Sequence, residues 1–249
     1  MRLALFPARA GRVWAAVVVT PATRVILATG VILAALGASG CAAIDTSEAS
    51  GGRAQLISEL ANRLDRAGTL TYTAVYRLPQ GDSATISQAQ NPFRIAYTYP
   101  GGKLVLGPQG TADCRTQGSA TTCTLTAASS PGTDPGSAPL GGIAVRGVVA
   151  PAVVVSLLTA AALDVDAVVT THDTTLAGQN ATCVDITGVR DALSAKFDVC
   201  VTTDGLLASF SGTVGGAHVD IHLDRYDQMV TPDAFDLPAG AKLVDHRPK

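Results

Sequence analysis

The sequence is poor in aromatic residues and in charge. Aromatic side chains make up 4% of its 249 residues and charged side chains 15%, and the single tryptophan, Trp14, lies near the amino terminus. Beyond residue 40 there is no basic cluster of the kind that binds nucleic acid or anionic lipid headgroups, so we expect neither as a partner. An interior of valine, alanine and leucine leaves two alternatives open: small side chains that line a slot, or a tightly packed core without one.

The motifs of several enzyme classes are also missing. The chain has no Gly-x-Ser-x-Gly, no Gly-Lys-Ser/Thr and no Cys-x-x-Cys. These are the local signatures of an elbow-type serine hydrolase, a phosphate-binding loop and a redox dithiol. The four histidines, His172, His218, His222 and His246, show no spacing typical of a catalytic set. We therefore expect a protein that is not an enzyme and that has no cofactor, although a triad assembled by the fold stays open.

The amino terminus has the pattern of a bacterial export signal. Four arginines are its only charged residues, and the apolar run 25–36 leads through small residues directly into Cys41. A basic region, an apolar region and small residues at a cleavage point are typical of a secretory signal. The residues around Cys41 resemble a bacterial lipobox, in which the cysteine receives a diacylglyceryl thioether and becomes the mature N-terminus.

This resemblance implies three parts of the chain. Residues 1–40 are expected to be a lipoprotein signal peptide, 41–52 a lipidated N-terminus with a flexible tether, and 53–249 a single domain. Loss of the four arginines changes the formal charge from −2 to −6. The protein is then extracytoplasmic and held to the cell membrane by the lipid on Cys41. The alternatives are an ordinary signal peptide with an incidental cysteine, or an uncleaved anchor helix.

Four of the five cysteines remain after Cys41: Cys114, Cys123, Cys183 and Cys200. An even number in an exported chain predicts two disulfides, for which three pairings are possible. We favour Cys114–Cys123 and Cys183–Cys200, because each pair flanks a predicted hairpin. The alternative is a metal site made of all four cysteines, which an oxidising compartment disfavours.

Periodicity predicts one amphipathic helix and many short strands. Apolar residues at 56, 57, 60, 61 and 64 recur at helical spacing and predict a helix over 53–67. Alternating segments between turn signals predict antiparallel meanders in the middle and in the last third of the chain. Residues 129–142, rich in proline, glycine and serine, predict a surface loop, and residues 228–249 an extended tail over the sheet edge.

A second helix is predicted over 151–163, and it is apolar on nearly every side. Pro151 suits the first turn of a helix, and the segment is too short to span a bilayer. Such a helix is buried on two sides or faces an apolar ligand or surface. The candidate lining residues of an apolar ligand cavity are Val153, Val154, Leu157, Leu158 and Ala161.

One later strand has the composition of a metal site. His218, Asp220, His222 and Asp224 alternate with apolar residues and therefore share one face. Imidazole and carboxylate groups bind zinc or copper. Neighbours on one face lie about 7 Å apart along a strand, however, and the exposed face of a half-buried sheet needs polar residues in any case. We interpret the pattern as such an exposed face and predict no metal site.

The order of elements resembles the LolA-like half-barrel, which is shared by lipoprotein carriers, the LppX/LprG lipoproteins and the RseB/MucB-type envelope sensors. The resemblance lies in the order of the helices and strands and in short sequence segments at 70–76, 204–210 and 219–223. It implies an α+β fold in which a strongly curved antiparallel sheet has its concave face covered by an N-terminal helix and an apolar helix. The disulfides and the long loop are not features expected of the carriers.

Two functions of different classes follow. In the first, a membrane-anchored envelope lipoprotein binds or shuttles a lipid or a lipidated ligand, such as a lipoprotein, in an apolar cavity. In the second, an envelope sensor or protein-interaction module has a closed core and no ligand. An enzyme or a metal carrier remains as a third class. The first function needs an apolar volume on the order of several hundred cubic ångströms under residues 151–163. In each case we expect a monomer.

Overall fold

The computed structural model describes residues 44–128, 140, 142–190 and 192–248. The predicted signal peptide, Cys41 and most of the predicted loop at 129–142 lie outside the described residues. Helix α1 covers Ile44–Arg66 and helix α2 covers Pro151–Leu163. The strands are β1 Tyr72–Arg77, β2 Ser83–Gln90, β3 Phe93–Tyr99, β4 Gly102–Gly107, β5 Gly110–Gln117, β6 Ala120–Thr126, β7 Val168–Leu176, β8 Gln179–Thr187, β9 Lys196–Thr202, β10 Leu207–Val214, β11 Ala217–Asp227 and β12 Lys242–Asp245.

Within the described residues, twelve strands form one sheet in the order β12-β6-β5-β4-β3-β2-β1-β11-β10-β9-β8-β7. Strands β1–β6 and β7–β11 are two antiparallel meanders, and the antiparallel pairing of β1 with β11 joins them. The sheet is strongly curved and does not close, since β12 and β7 are its edges. With helices on one face, this architecture confirms the predicted α+β half-barrel class.

Two register shifts lie near the centre of this sheet. One falls between Val75 and Tyr76 in the pairing of β1 with β11, and the other between Leu207 and Ser209 in the pairing of β10 with β9. Bulges of this kind bend a strand and increase its twist. They are therefore placed where they add to the curvature of the sheet.

The core lies between the concave face of the sheet and the two helices. Helix α1 contributes Ile57, Leu60 and Leu64, which are almost fully buried, and the sheet contributes Tyr76 and Phe210. Helix α2 packs against α1 and belongs to the same core. Burial on two sides explains why α2 can be apolar around its circumference. None of the helices in the described residues is both long and apolar enough to cross a membrane.

Helix α2 has the predicted bounds, but α1 begins at Ile44 rather than at Arg53. Residues 44–52 are therefore helical, and this differs from the flexible tether predicted over 41–52. The apolar periodicity begins only at Leu56, so it does not predict the earlier turns of the helix.

The predicted cysteine pairs are confirmed. Cys114 and Cys123 are bonded between β5 and β6, and Cys183 and Cys200 between β8 and β9. Each pair occupies directly opposed positions in its hairpin register. Two such bonds are typical of a protein that folds in an oxidising, extracytoplasmic compartment.

The chain after β11, residues 228–241, crosses the face of the sheet opposite the helices, and we call it the C-terminal segment. Thr73 Oγ1 donates to the Met229 carbonyl oxygen at 2.9 Å, and Lys103 Nζ donates to that of Asp236 at 2.6 Å. The side chains of Thr73 and Lys103 point away from the core, which places the segment on the convex face. Strand β12 then pairs in parallel with β6 at the sheet edge, where the sequence predicted an extended tail.

Gly205→Ala is expected to destabilise the fold. Gly205 has φ +92°, and a methyl group on its Cα would lie 2.3 Å from the Arg63 carbonyl oxygen of α1. The variant must adopt a left-handed backbone and also displace the end of α1, so we expect it to lose about 3 kcal/mol or more of unfolding free energy in urea denaturation. Gly215→Ala is the matched control, because φ is +59° there and a methyl group meets nothing within 4 Å. It should lose only about 1–2 kcal/mol. Equal losses would show that the approach to α1 is unimportant.

Candidate functional site

An apolar cavity of about 180 Å³ lies between the helices and the concave face of the sheet, and we call it the helix-side cavity. Its walls come from the end of α1, the first turn of α2, strands β1 to β4 and the start of β10. The lining residues are Leu64, Asp65, Ala67, Gly68, Tyr72, Gln88, Phe93, Ile95, Tyr97, Leu106, Leu140, Pro151, Ala152, Val155, Leu206 and Leu207. The cavity thus joins segments that are far apart in the sequence.

The five residues predicted to line a slot do not line this cavity. All of them are buried in the main core at 8% exposure or less: Val153, Val154, Leu157, Leu158 and Ala161. The cavity borders α2 at Pro151, Ala152 and Val155 instead. The two polar residues of α2, Ser156 and Thr159, are exposed and mark its outer side, but the apolar sequence of the rest does not indicate which residues border a void.

The volume of the helix-side cavity limits what it can hold. Sites for drug-sized ligands have volumes of roughly 300–1,000 Å³, and this cavity has about 180 Å³. It is smaller than the volume expected for a whole lipid. A space of this size with apolar walls suits a segment of a single acyl chain.

Two glutamine side chains fix the wall beside the end of α1. Gln88, only 4% exposed, donates from Nε2 toward the carbonyl oxygens of Ala67, Gly68 and Leu70 at 2.8–3.0 Å. Gln90 Nε2 donates to the last two at 3.0 and 2.7 Å. The carbonyls that follow a helix need such partners when they lie near a protein interior. The turn after α1 is therefore held by two side chains of β2 rather than by backbone pairing with the sheet.

Three buried tyrosines keep the concave face uncharged. Tyr72 and Tyr97 line the cavity, and Tyr76 lies beside them and donates its hydroxyl to the Leu207 carbonyl oxygen at 2.8 Å. Burial raises the pKa of all three hydroxyls far above the ordinary tyrosine value. Of the lining residues only Asp65 carries a charge, and its side chain is exposed.

The candidate metal-binding strand is β11, and its polar residues face solvent. His218, His222 and Asp224 are exposed, and Asp220 is half-buried. His222 Nε2 lies 3.1 Å from Asp220 Oδ1, and Asp224 forms an ion pair with Arg77. This arrangement is that of the exposed polar face of a half-buried sheet, as the alternation suggested.

A second group of potential ligands surrounds one disulfide. The nearest side-chain ligand atoms of His172, Cys183 and Cys200 lie within 4.8 Å of one another. The two cysteines are bonded to each other, so their sulfurs are not thiolates that could bind a metal. His172 therefore has no partner ligand in this group.

No protein-family model and no curated protein sequence matches the chain. One similar solved structure is an uncharacterized conserved protein from Thermus thermophilus, with 12% identity, a TM-score of 0.43 and coverage of 76% of this chain and 98% of that chain. Another is MucB, with 17% identity, a TM-score of 0.41 and coverage of 76% of this chain and 66% of that chain. The fold class itself rests on the strand order described above.

Stability is expected to decline as the pH rises above about 10. Unfolding returns Tyr72, Tyr76 and Tyr97 to water and to their ordinary pKa of about 10, whereas burial keeps the pKa of each higher in the folded state. Above about pH 10 the unfolded chain releases protons that the folded chain retains, which lowers the unfolding free energy by up to ~1.4 kcal/mol per pH unit for each tyrosine. Urea denaturation between about pH 8 and pH 11 measures the decline.

Tyr76→Phe separates this effect from other alkaline effects. Loss of the hydrogen bond to the Leu207 carbonyl should cost about 1 kcal/mol near pH 8, and the decline above pH 10 should become less steep. An unchanged slope in the variant would assign the alkaline loss to other groups.

Proposed function

We propose that the chain is a membrane-anchored envelope lipoprotein that binds part of a lipid or of a lipidated molecule in the helix-side cavity. The observation that carries the proposal is the cavity itself, an apolar space between α1, α2 and the sheet with almost no charge in its walls. Ligand sites are concave and mainly apolar, with few polar groups. Burial of an acyl chain releases about 25 cal/mol per Å² of apolar surface, so binding needs no charged contact.

The entrance favours an apolar ligand as well. Phe93 borders the cavity and is 49% exposed, so an apolar ring lies where the cavity meets solvent. A chain segment that enters beside Phe93 meets Ile95 and Leu106 on the sheet and Val155 on α2. The volume of about 180 Å³ restricts the bound part to a segment of one acyl chain, and the rest of the ligand stays outside.

The anchor is part of the same proposal. The lipobox-like residues before Cys41 support lipidation, and the two disulfides support an oxidising compartment. Helix α1 begins at Ile44, close in sequence to Cys41. The connection between Cys41 and the domain is then short, so the domain stays close to the membrane and the cavity can receive an acyl chain from that surface.

A protein-interaction module is the second candidate, and the tight burial of α2 favours it. The residues of α2 that face the core are all buried, at 8% exposure or less. Apolar side chains are instead exposed at the end of α2 and in the chain that follows it: Leu163 and Val165 at 80% and Val168 at 59%. Exposed apolar residues close together in a chain indicate a surface for a partner when they form one patch.

Native mass spectrometry of the exported protein tests the lipid proposal. We expect adducts that extract as lipids. Val155→Trp places a large side chain at the cavity wall and should abolish these adducts, while the thermal unfolding transition followed by circular dichroism is retained. Ser156→Trp is the matched control, since Ser156 is exposed and does not line the cavity; it should carry adducts as the unmodified chain does.

The other outcomes decide against the cavity. A mass without adducts from several expression hosts would favour the interaction module. Adducts that persist in folded Val155→Trp would place the lipid elsewhere on the protein.

Cys41→Ser tests the anchor separately. The variant should lose the mass of the diacylglyceryl group and leave the membrane pellet for the soluble fraction after an alkaline wash. If it stays in the pellet, the attachment is the apolar run at 25–36, which corresponds to the alternative of an uncleaved helix.

A further inference from the structure

A second cavity lies on the opposite face of the sheet, under the C-terminal segment. Val105, Ala112 and Leu125 are direct neighbours on β4, β5 and β6 and point away from the core. The convex face of such a sheet is normally polar. Phe235 and Leu237 of the C-terminal segment lie across this apolar row and leave a space of about 380 Å³, which we call the tail-side pocket.

The tail-side pocket contains an arginine that has no carboxylate partner among the described residues. Arg94 on β3 is half-buried, and its guanidinium carbon lies 4.3 Å from the centre of the Phe235 ring. Its Nε is buried and has no hydrogen-bond partner within the described part of the chain. The ring holds the guanidinium in place, but it neutralises only part of the charge.

The other guanidinium at this pocket is already neutralised. Arg247 donates from Nε and Nη2 to the two carboxylate oxygens of Asp245, at 2.9 and 2.6 Å. Of the two arginines, only Arg94 is therefore left to attract an anion. A cation that is partly removed from water without a counter-charge is costly, and a carboxylate that accepts two hydrogen bonds is its best partner.

We propose that the tail-side pocket binds an apolar carboxylate of the fatty-acid type, with the carboxylate on Arg94 and the alkyl chain on Val105, Ala112 and Leu125. The volume of about 380 Å³ falls within the range of known ligand sites. The protein as a whole is negatively charged, so attraction of an anion must be local to Arg94. The helix-side cavity has Asp65 as its only charged lining residue and offers no such partner. The tail-side pocket is therefore a site distinct from the one proposed above.

Isothermal titration calorimetry with sodium octanoate, and with 1-octanol as the uncharged comparison, tests this site on the exported protein. Octanoate should bind with a stoichiometry of one and at least tenfold more tightly than octanol. Arg94→Gln keeps the length of the side chain but removes its charge, and it should weaken octanoate binding at least tenfold. Arg77→Gln is the matched control: Arg77 is exposed on the same sheet face, outside the pocket, and should leave binding unchanged.

A second variant guards against a folding defect. Ala112→Phe keeps Arg94 but fills the pocket, and it too should abolish octanoate binding while the thermal transition is retained. Equal binding of octanoate and octanol, or undiminished binding to folded Arg94→Gln, would overturn the proposal. Loss of octanoate binding in Val155→Trp but not in Ala112→Phe would overturn it as well, by placing the ligand in the helix-side cavity.

Discussion

The pairing of β1 with β11 is the contact on which the architecture depends. It brings Thr73 opposite Asp227 and thereby joins two meanders that are otherwise separate. Each meander alone would have an edge strand with unpaired backbone groups at this position. Because both meanders turn their apolar side to the same face, α1 and α2 have one continuous surface to cover.

The path of the C-terminal segment is determined by the same contact. It starts at the centre of the sheet and ends at the edge, seven strand spacings or roughly 34 Å away, and the helices leave only the convex face free for this crossing.

Features that depend on near neighbours could be predicted from the sequence. Pro151 and the apolar run after it set the bounds of α2, and the two hairpins bring each cysteine pair into opposed positions. The start of α1 was not predictable from the same reasoning, since its first turns carry no apolar stripe. Local sequence patterns therefore predict the helices and strands. The predicted bounds are wrong where the apolar periodicity covers only part of a helix, as it does in α1.

The cavities could not be predicted in this way, because each is made by residues that the fold brings together from distant positions. The helix-side cavity combines Leu64, Phe93 and Val155, and the apolar sequence of α2 distinguishes its buried face from its exposed one but not the residues that border a cavity. Arg94 is similar. In the alternating strand 93–99 it reads as an ordinary polar residue on the solvent side. Its contact with Phe235 exists only because the C-terminal segment crosses β3, which depends in turn on the pairing of β1 with β11.

Both cavities have the same physical origin, which is incomplete cover of a curved sheet. A straight helix of thirteen residues cannot follow a concave surface along its whole length, and a gap remains at its first turn, where Pro151 and Ala152 are small. A single extended segment on the convex side is too narrow to cover Val105, Ala112 and Leu125 together. The two gaps differ in charge, because neutral tyrosines face one and a guanidinium faces the other. Selectivity between an uncharged acyl segment and a carboxylate can therefore arise without any binding motif, since the strand alternation alone assigns tyrosine to one face and arginine to the other.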